Sequence, residues 1–119
     1  FDDNVRTRLR PYLAARPGFT AINVNTASAE VMSAVIEGLD LGGAQLLVAQ
    51  RDRVYFRDSG DFIRRLPRGV EAAAGDIGVS SEYFMASLRV SIGGAQARGK
   101  ALLARRASGW PDIVWRKYL

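Results

Sequence analysis

The spacing of apolar residues in this 119-residue chain changes once, and that change bounds the fold. Up to Leu66 apolar side chains recur every three or four positions, as on one stripe of a helix, whereas from Tyr83 they alternate every second position, as on one face of a strand. The pattern predicts an α+β chain. A helical subdomain is expected over residues 1–75, followed over 76–119 by a small antiparallel β-sheet of meander type.

Within the helical part, residues 4–15 place Val5, Leu9, Tyr12 and Leu13 at helical spacing, with Pro11 as a kink and Arg16-Pro17-Gly18 as the closing turn. Ala29 to Leu39 supplies a stripe of Val31, Met32, Val35, Ile36 and Leu39, with Glu30 in the first turn and Asn25 or Thr26 as the expected cap. Gly43 to Arg53 repeats the spacing, so two helices should pair antiparallel. Asp58 would cap a further short helix, with Asp61 three residues on and Phe62, Ile63 and Leu66 on its buried side. Segment 67–78, with Pro67, Gly69, Gly75 and Gly78, reads as a connector.

In the second part, Phe84, Ala86, Leu88, Val90 and Ile92 alternate with more polar positions, the pattern of a strand with one buried face. Gly93-Gly94 is the turn after it. Residues 99–107 and 113–118 are the next two strand segments; for 99–107 a helix competes, since Ala, Leu, Arg and Lys all favour one. Trp110 and Trp115 are expected to pack on the sheet.

The sequence contains neither Cys nor His, which excludes thiol nucleophiles, imidazole bases, Cys/His metal sites and disulfides together. Serines without a histidine make no hydrolase, so an enzyme is not expected. No apolar run reaches the length of a membrane span, and Phe1-Asp2-Asp3-Asn4 reads as a helix joined midway through a longer chain. The net charge of +5 comes almost wholly from Arg, scattered along the sequence instead of forming a block, and a solvated basic face explains it better than a nucleic-acid surface.

The most particular stretch is INVNTASAEVM, residues 22–32, where Asn23, Asn25 and Thr26 interrupt an apolar run just ahead of a helix. Such side chains hydrogen-bond backbone groups that a tight approach to a helix leaves unpaired, so their role is architectural. In order, INVNTASAEV, Ala44, Arg51, Phe56, SGDF and Leu66 resemble a helix-hairpin-helix unit. One owner of that unit is the competence DNA receptor family, where a Gly-apolar-Gly hairpin lets backbone amides approach a phosphate. Here the hairpin reads Gly38-Leu39-Asp40-Leu41-Gly42, with an acid at its centre and Leu41 in place of the second glycine.

The C-terminal residues Ser80, Ser81, Tyr83, Phe84, Gly93, Gly94, Arg105 and Arg106 favour the other owner. Together with the helical motif they resemble the type II secretion minor pseudopilin K family (general secretion pathway protein K) over residues 12–116. The resemblance implies a structural subunit at the tip of the secretion pseudopilus, on the periplasmic face of the bacterial inner membrane. It also implies association with minor pseudopilins I, J and H in a hetero-oligomeric tip complex, membrane contact only through an N-terminal helix upstream, and no nucleic-acid partner. Some family members bind calcium; Asp76, Glu82 and Asp112 are the acids to consider here, but they lack the spacing of a calcium loop, so no metal or cofactor is assigned.

Overall fold

A computed structural model of the protein describes residues 2–13 and 20–119, an α+β chain in two compact units, residues 1–80 and 81–119. The boundary falls later than the expected division after residue 75, because 77–78 turns back into the first unit. Segment 67–78 is thus more than a connector. After a 3₁₀ turn at Ala74–Asp76, strand β2 (Ile77–Gly78) pairs parallel with β1 (Ile22–Asn23), and Ile77 is buried in the helical core.

Helix α1 (Asp3–Leu9) is capped by Asp2, whose carboxylate accepts from the Val5 amide, and passes at Pro11 into a 3₁₀ turn, Arg10–Tyr12. Neither segment has a buried residue, and the end of the expected helix and its Arg16-Pro17-Gly18 turn lie outside the described residues.

Helices α2 (Ala29–Val35) and α3 (Leu41–Arg53) pack against each other, and α4 (Ser59–Arg65) contributes Phe62 to the same core. Met32, Ile36, Leu39, Ala44, Leu47, Phe56 and Phe62 meet Val24 and Ile77 in one cluster, the core of this unit. Helix α2 is shorter than its apolar stripe. The chain leaves the helix at Ile36, the Ser33 hydroxyl donates to the Leu39 carbonyl at 2.9 Å, and Gly38 sits at φ +82°, a left-handed position that glycine takes without strain. Val35 and Ile63, expected on buried faces, are exposed, since these short helices turn only about a third of their surface inward.

The second unit is a three-stranded antiparallel sheet in chain order, β3 (Tyr83–Ile92), β4 (Ala95–Ala104) and β5 (Asp112–Tyr118). Gly93 takes φ +59° at the first place of a two-residue turn, which suits the twist of the strands it joins. Segment 99–107 resolves in favour of a strand, but one displaced toward this turn: pairing of Ile92 with Ala95 starts β4 earlier, and it ends before Arg105. Strand β5 pairs Leu102 with Trp115 and Leu103 with Ile113, so Val114 is an extra, bulged residue.

The expectation of one buried sheet face fails for the described residues. Leu102 alone among them is fully buried in this unit, while Phe84, Leu88, Val90 and Ile92 are exposed, Ile92 to 77%. Trp110, at 88% exposure, and Trp115, at 38%, are not core residues either. Alternation fixed the strand but not what covers it. Because three strands with one buried side chain hold little apolar area, a peptide of residues 81–119 is expected to show no cooperative thermal transition, whereas residues 20–80 should unfold cooperatively. Circular dichroism melts of the two pieces check this.

Candidate functional site

Between β1 and α2 the chain must stop being a strand and enter a helix within a few residues, which strands several backbone amides and carbonyls. Asn23 answers part of this locally: its Oδ1 accepts from the Asn25 amide at 3.0 Å, and its carbonyl accepts from the amides of Thr26 at 3.1 Å and Ala27 at 2.8 Å. Thr26 adds only a long contact, its hydroxyl donating to the Asn23 carbonyl at 3.5 Å.

The helix cap is neither Asn25 nor Thr26, as the sequence reading expected, but Ser28, whose Oγ accepts from the Val31 amide at 3.2 Å. The displacement follows from the turn at Asn23, which uses Asn25 and Thr26 inside it and leaves Ser28 to face the helix amides.

Asn25 is thereby free to reach across the unit. Its Oδ1 accepts from the Phe56 amide at 2.8 Å and its Nδ2 donates to the Phe56 carbonyl at 2.9 Å, so one side-chain amide pairs with both polar groups of a single residue. From α3, Arg51 donates through Nη1 to the carbonyls of Val24, at 2.9 Å, and Ala27. The two ends of the 24–27 loop are thus tied to α3 and its middle to the segment after α3.

That segment, 54–57, has its own partners on α4. Arg65 donates to the carbonyls of Val54 at 2.9 Å and Tyr55 at 3.5 Å, and Asp61 accepts from the Arg57 amide at 3.1 Å. Asp61, only 6% exposed, also receives Arg65 through both Nε and Nη2, at 3.2 and 2.8 Å. Asp58 caps the helix with a 2.7 Å bond from the Asp61 amide. The Phe56 ring meets Phe62 edge to face at 4.9 Å, and the Arg65 guanidinium lies 4.9 Å from its centroid. The Arg57 amide holds the Asp61 carboxyl below the usual aspartate range; burial pushes the other way, and the hydrogen bond and charge of Arg65 reinforce the lowering.

Asn23, Asn25 and Thr26 therefore share one loop, with Asn25 making the long-range contact. Arg51 and Phe56 were present in the sequence pattern without a role, and the Asp61–Arg65 pair was missed, although an acid four residues before an arginine is a readable helix signal. Among the described residues no buried side-chain nitrogen or oxygen lacks a partner, and no cluster of three metal-type ligands forms. Asp112 pairs with Arg106 at 2.7 Å.

The hairpin between α2 and α3 is closed to anions. Asp40 Oδ1 accepts from the Gly43 amide at 2.7 Å, so a carboxylate already sits where a phosphate would meet the start of α3. Gly43 is closely packed: a Cβ there would lie 3.0 Å from Leu39 Cδ1 and 3.1 Å from Asp40 Oδ1, so those side chains would have to give way. The DNA-binding alternative finds no support in this geometry.

Residues 22–80 match the family described as type II secretion system (T2SS), protein K, a stretch running from the first residue of β1 to the end of the first compact unit. The type II secretion system protein K of Pseudomonas aeruginosa is 36% identical over 87 residues, 72% of this chain. That stretch covers 26% of the relative, so the chain spans about a quarter of the length of the protein it matches.

Asn25→Ala strips both partners from the Phe56 backbone and is expected to lower stability by about 2 kcal/mol, read from urea unfolding of residues 20–80. A second expectation concerns acid. With its folded pKa below the ordinary 3.8, Asp61 contributes stability that is fully present above that value and is lost as pH falls through the folded pKa. Unfolding midpoints should be level with respect to this group at higher pH and decline below about pH 4; Asp61→Asn should flatten that decline.

Proposed function

The chain belongs to the type II secretion system protein K family, and from that premise we propose that it is part of a structural minor pseudopilin at the tip of the secretion pseudopilus. In this reading it supports assembly of the pseudopilus and protein export across the outer membrane. Family membership carries the proposal. The geometry agrees with it: the side chains of Asn25, Arg51, Asp61 and Arg65 are bonded to backbone or to one another, which suits a rigid building block.

The same reading gives the protein no catalytic role and no resident cofactor. It acts on the periplasmic face of the inner membrane. Membrane attachment in this reading is through an N-terminal helix upstream, as the family resemblance implies; among the described residues no helix is long and apolar enough to cross a membrane. Its partners are the other minor pseudopilins, I, J and H, in a hetero-oligomeric tip complex.

Co-purification tests this directly. The full-length protein, expressed with minor pseudopilins I, J and H, is expected to be recovered with them as a complex of defined stoichiometry. Recovery of the protein alone, under conditions where the others still associate with one another, would remove the proposal.

A further inference from the structure

The charge of the chain is divided unequally between its two units. Residues 1–80 carry ten Arg or Lys and ten Asp or Glu, whereas residues 81–119 carry seven basic residues and only Glu82 and Asp112 as acids. The whole excess of +5 therefore lies in the sheet unit.

Strand register collects much of it on one face. Arg89 stands directly opposite Arg98, and Lys100 directly opposite Lys117. Directly paired residues in an antiparallel ladder point to the same side, and Arg98 and Lys100, two apart on β4, do so as well. Four cations thus share one end of one face, all four exposed, with Ser87 opposite Lys100 and Gln96 opposite Ser91 beside them.

Among the described residues no carboxylate forms an ion pair with any of the four. Glu82 and Asp112 belong to the other end of the sheet, where Asp112 is paired with Arg106. Like charges set directly opposite one another weaken a sheet. Two such pairs side by side are a cost to folding that an anionic partner would reverse.

We infer that this basic face of β3, β4 and β5 docks a carboxylate-rich segment of a neighbouring protein subunit, an inference that rests on the assembly role proposed above. The pattern favours protein carboxylates over a lipid surface or a nucleic acid. The cations stand on a hydrogen-bonded lattice with fixed spacings, about 5 Å across the strands and about 7 Å along them, a scale on which side-chain carboxylates of a folded partner can be matched one to one. On the same face, farther along the sheet, half-exposed Met85 and Trp115 flank buried Leu102, giving an apolar anchor beside a charged rim.

The test compares the full-length protein with a variant carrying Arg89→Gln, Arg98→Gln, Lys100→Gln and Lys117→Gln. Each is titrated against purified minor pseudopilins H, I and J at low and at high salt. The parent should bind at least one of them with an affinity that falls as salt rises, and the variant should bind it about tenfold more weakly with a flatter salt dependence. Since the change removes repulsion, the variant should melt no lower than the parent; if it fails to fold, Arg89→Gln with Lys100→Gln gives the same reading on half the array.

Unchanged affinity and salt slope for every partner would overturn the docking surface and leave the assembly role standing. A parent that binds none of the three would remove the assembly role, and the docking surface with it. Parallel titrations use phosphatidylglycerol vesicles and duplex DNA. Loss of binding confined to either of those arms would overturn the assignment to protein carboxylates.

Discussion

The helical unit depends on one side-chain amide set against one backbone residue. Asn25 and Phe56 are 31 positions apart, and closing a loop of that length carries an entropic cost that a single exposed hydrogen bond does not offset. Two antiparallel bonds from the same planar group change the balance, because the second adds enthalpy without ordering another side chain. They also fix the Phe56 backbone in both position and rotation. Its ring is then aimed into the core, edge-on to Phe62, and its outer side is covered by Arg65.

The segment 54–57 shows why side chains do this work. It joins two helices, and beyond the Val54 amide, which still donates to the Gln50 carbonyl at 2.9 Å, its peptide groups have neither a helical ladder nor a strand beside them, yet Phe56 within it is buried. Each of its four residues is met in turn: the carbonyls of Val54 and Tyr55 by Arg65, both groups of Phe56 by Asn25, and the amide of Arg57 by Asp61. Burial of the Asp61 carboxylate is tolerable because it accepts from a backbone amide and from the fork of Arg65 at once. Apolar replacements could fill the same space, but they would leave those peptide groups without partners.

How much of this could be read in advance follows the range of each interaction. The α2–α3 pair, the cap at Asp58 and the three strands rest on local periodicity and turn residues, which the sequence displays directly. The cap at Ser28 was misplaced because the turn formed by Asn23, not helix propensity, decides which hydroxyl faces the free amides. Asn25 looked like a local device, while its partner is a peptide group 31 residues away, and no pattern of spacing identifies that partner. The return of Ile77 into the core was hidden for a similar reason, since a two-residue strand in a glycine-punctuated segment has no period to detect. On the sheet, alternation correctly indicated strands, but burial depends on what lies over a face and is not a property of the strand.

Arginine makes the contrast between the two units concrete, and it shows why counting charge along a sequence misleads. In the helical unit Arg51 and Arg65 act as backbone donors inside the fold, where the planar guanidinium can serve two acceptors at once, and the unit as a whole is balanced by an equal number of acids. Those arginines are not available to a partner. In the sheet unit the acids are too few to balance the bases, and β-register places bases opposite bases. From a scatter that looks uniform along the chain, folding consumes Arg51 and Arg65 in architecture and leaves Arg89 and Arg98 facing outward beside other bases. In the helical unit Asn25, Arg51, Asp61 and Arg65 tie loops onto an apolar core, whereas in the sheet unit Arg89, Arg98, Lys100 and Lys117 remain to be satisfied, and it is there that recognition has to be sought.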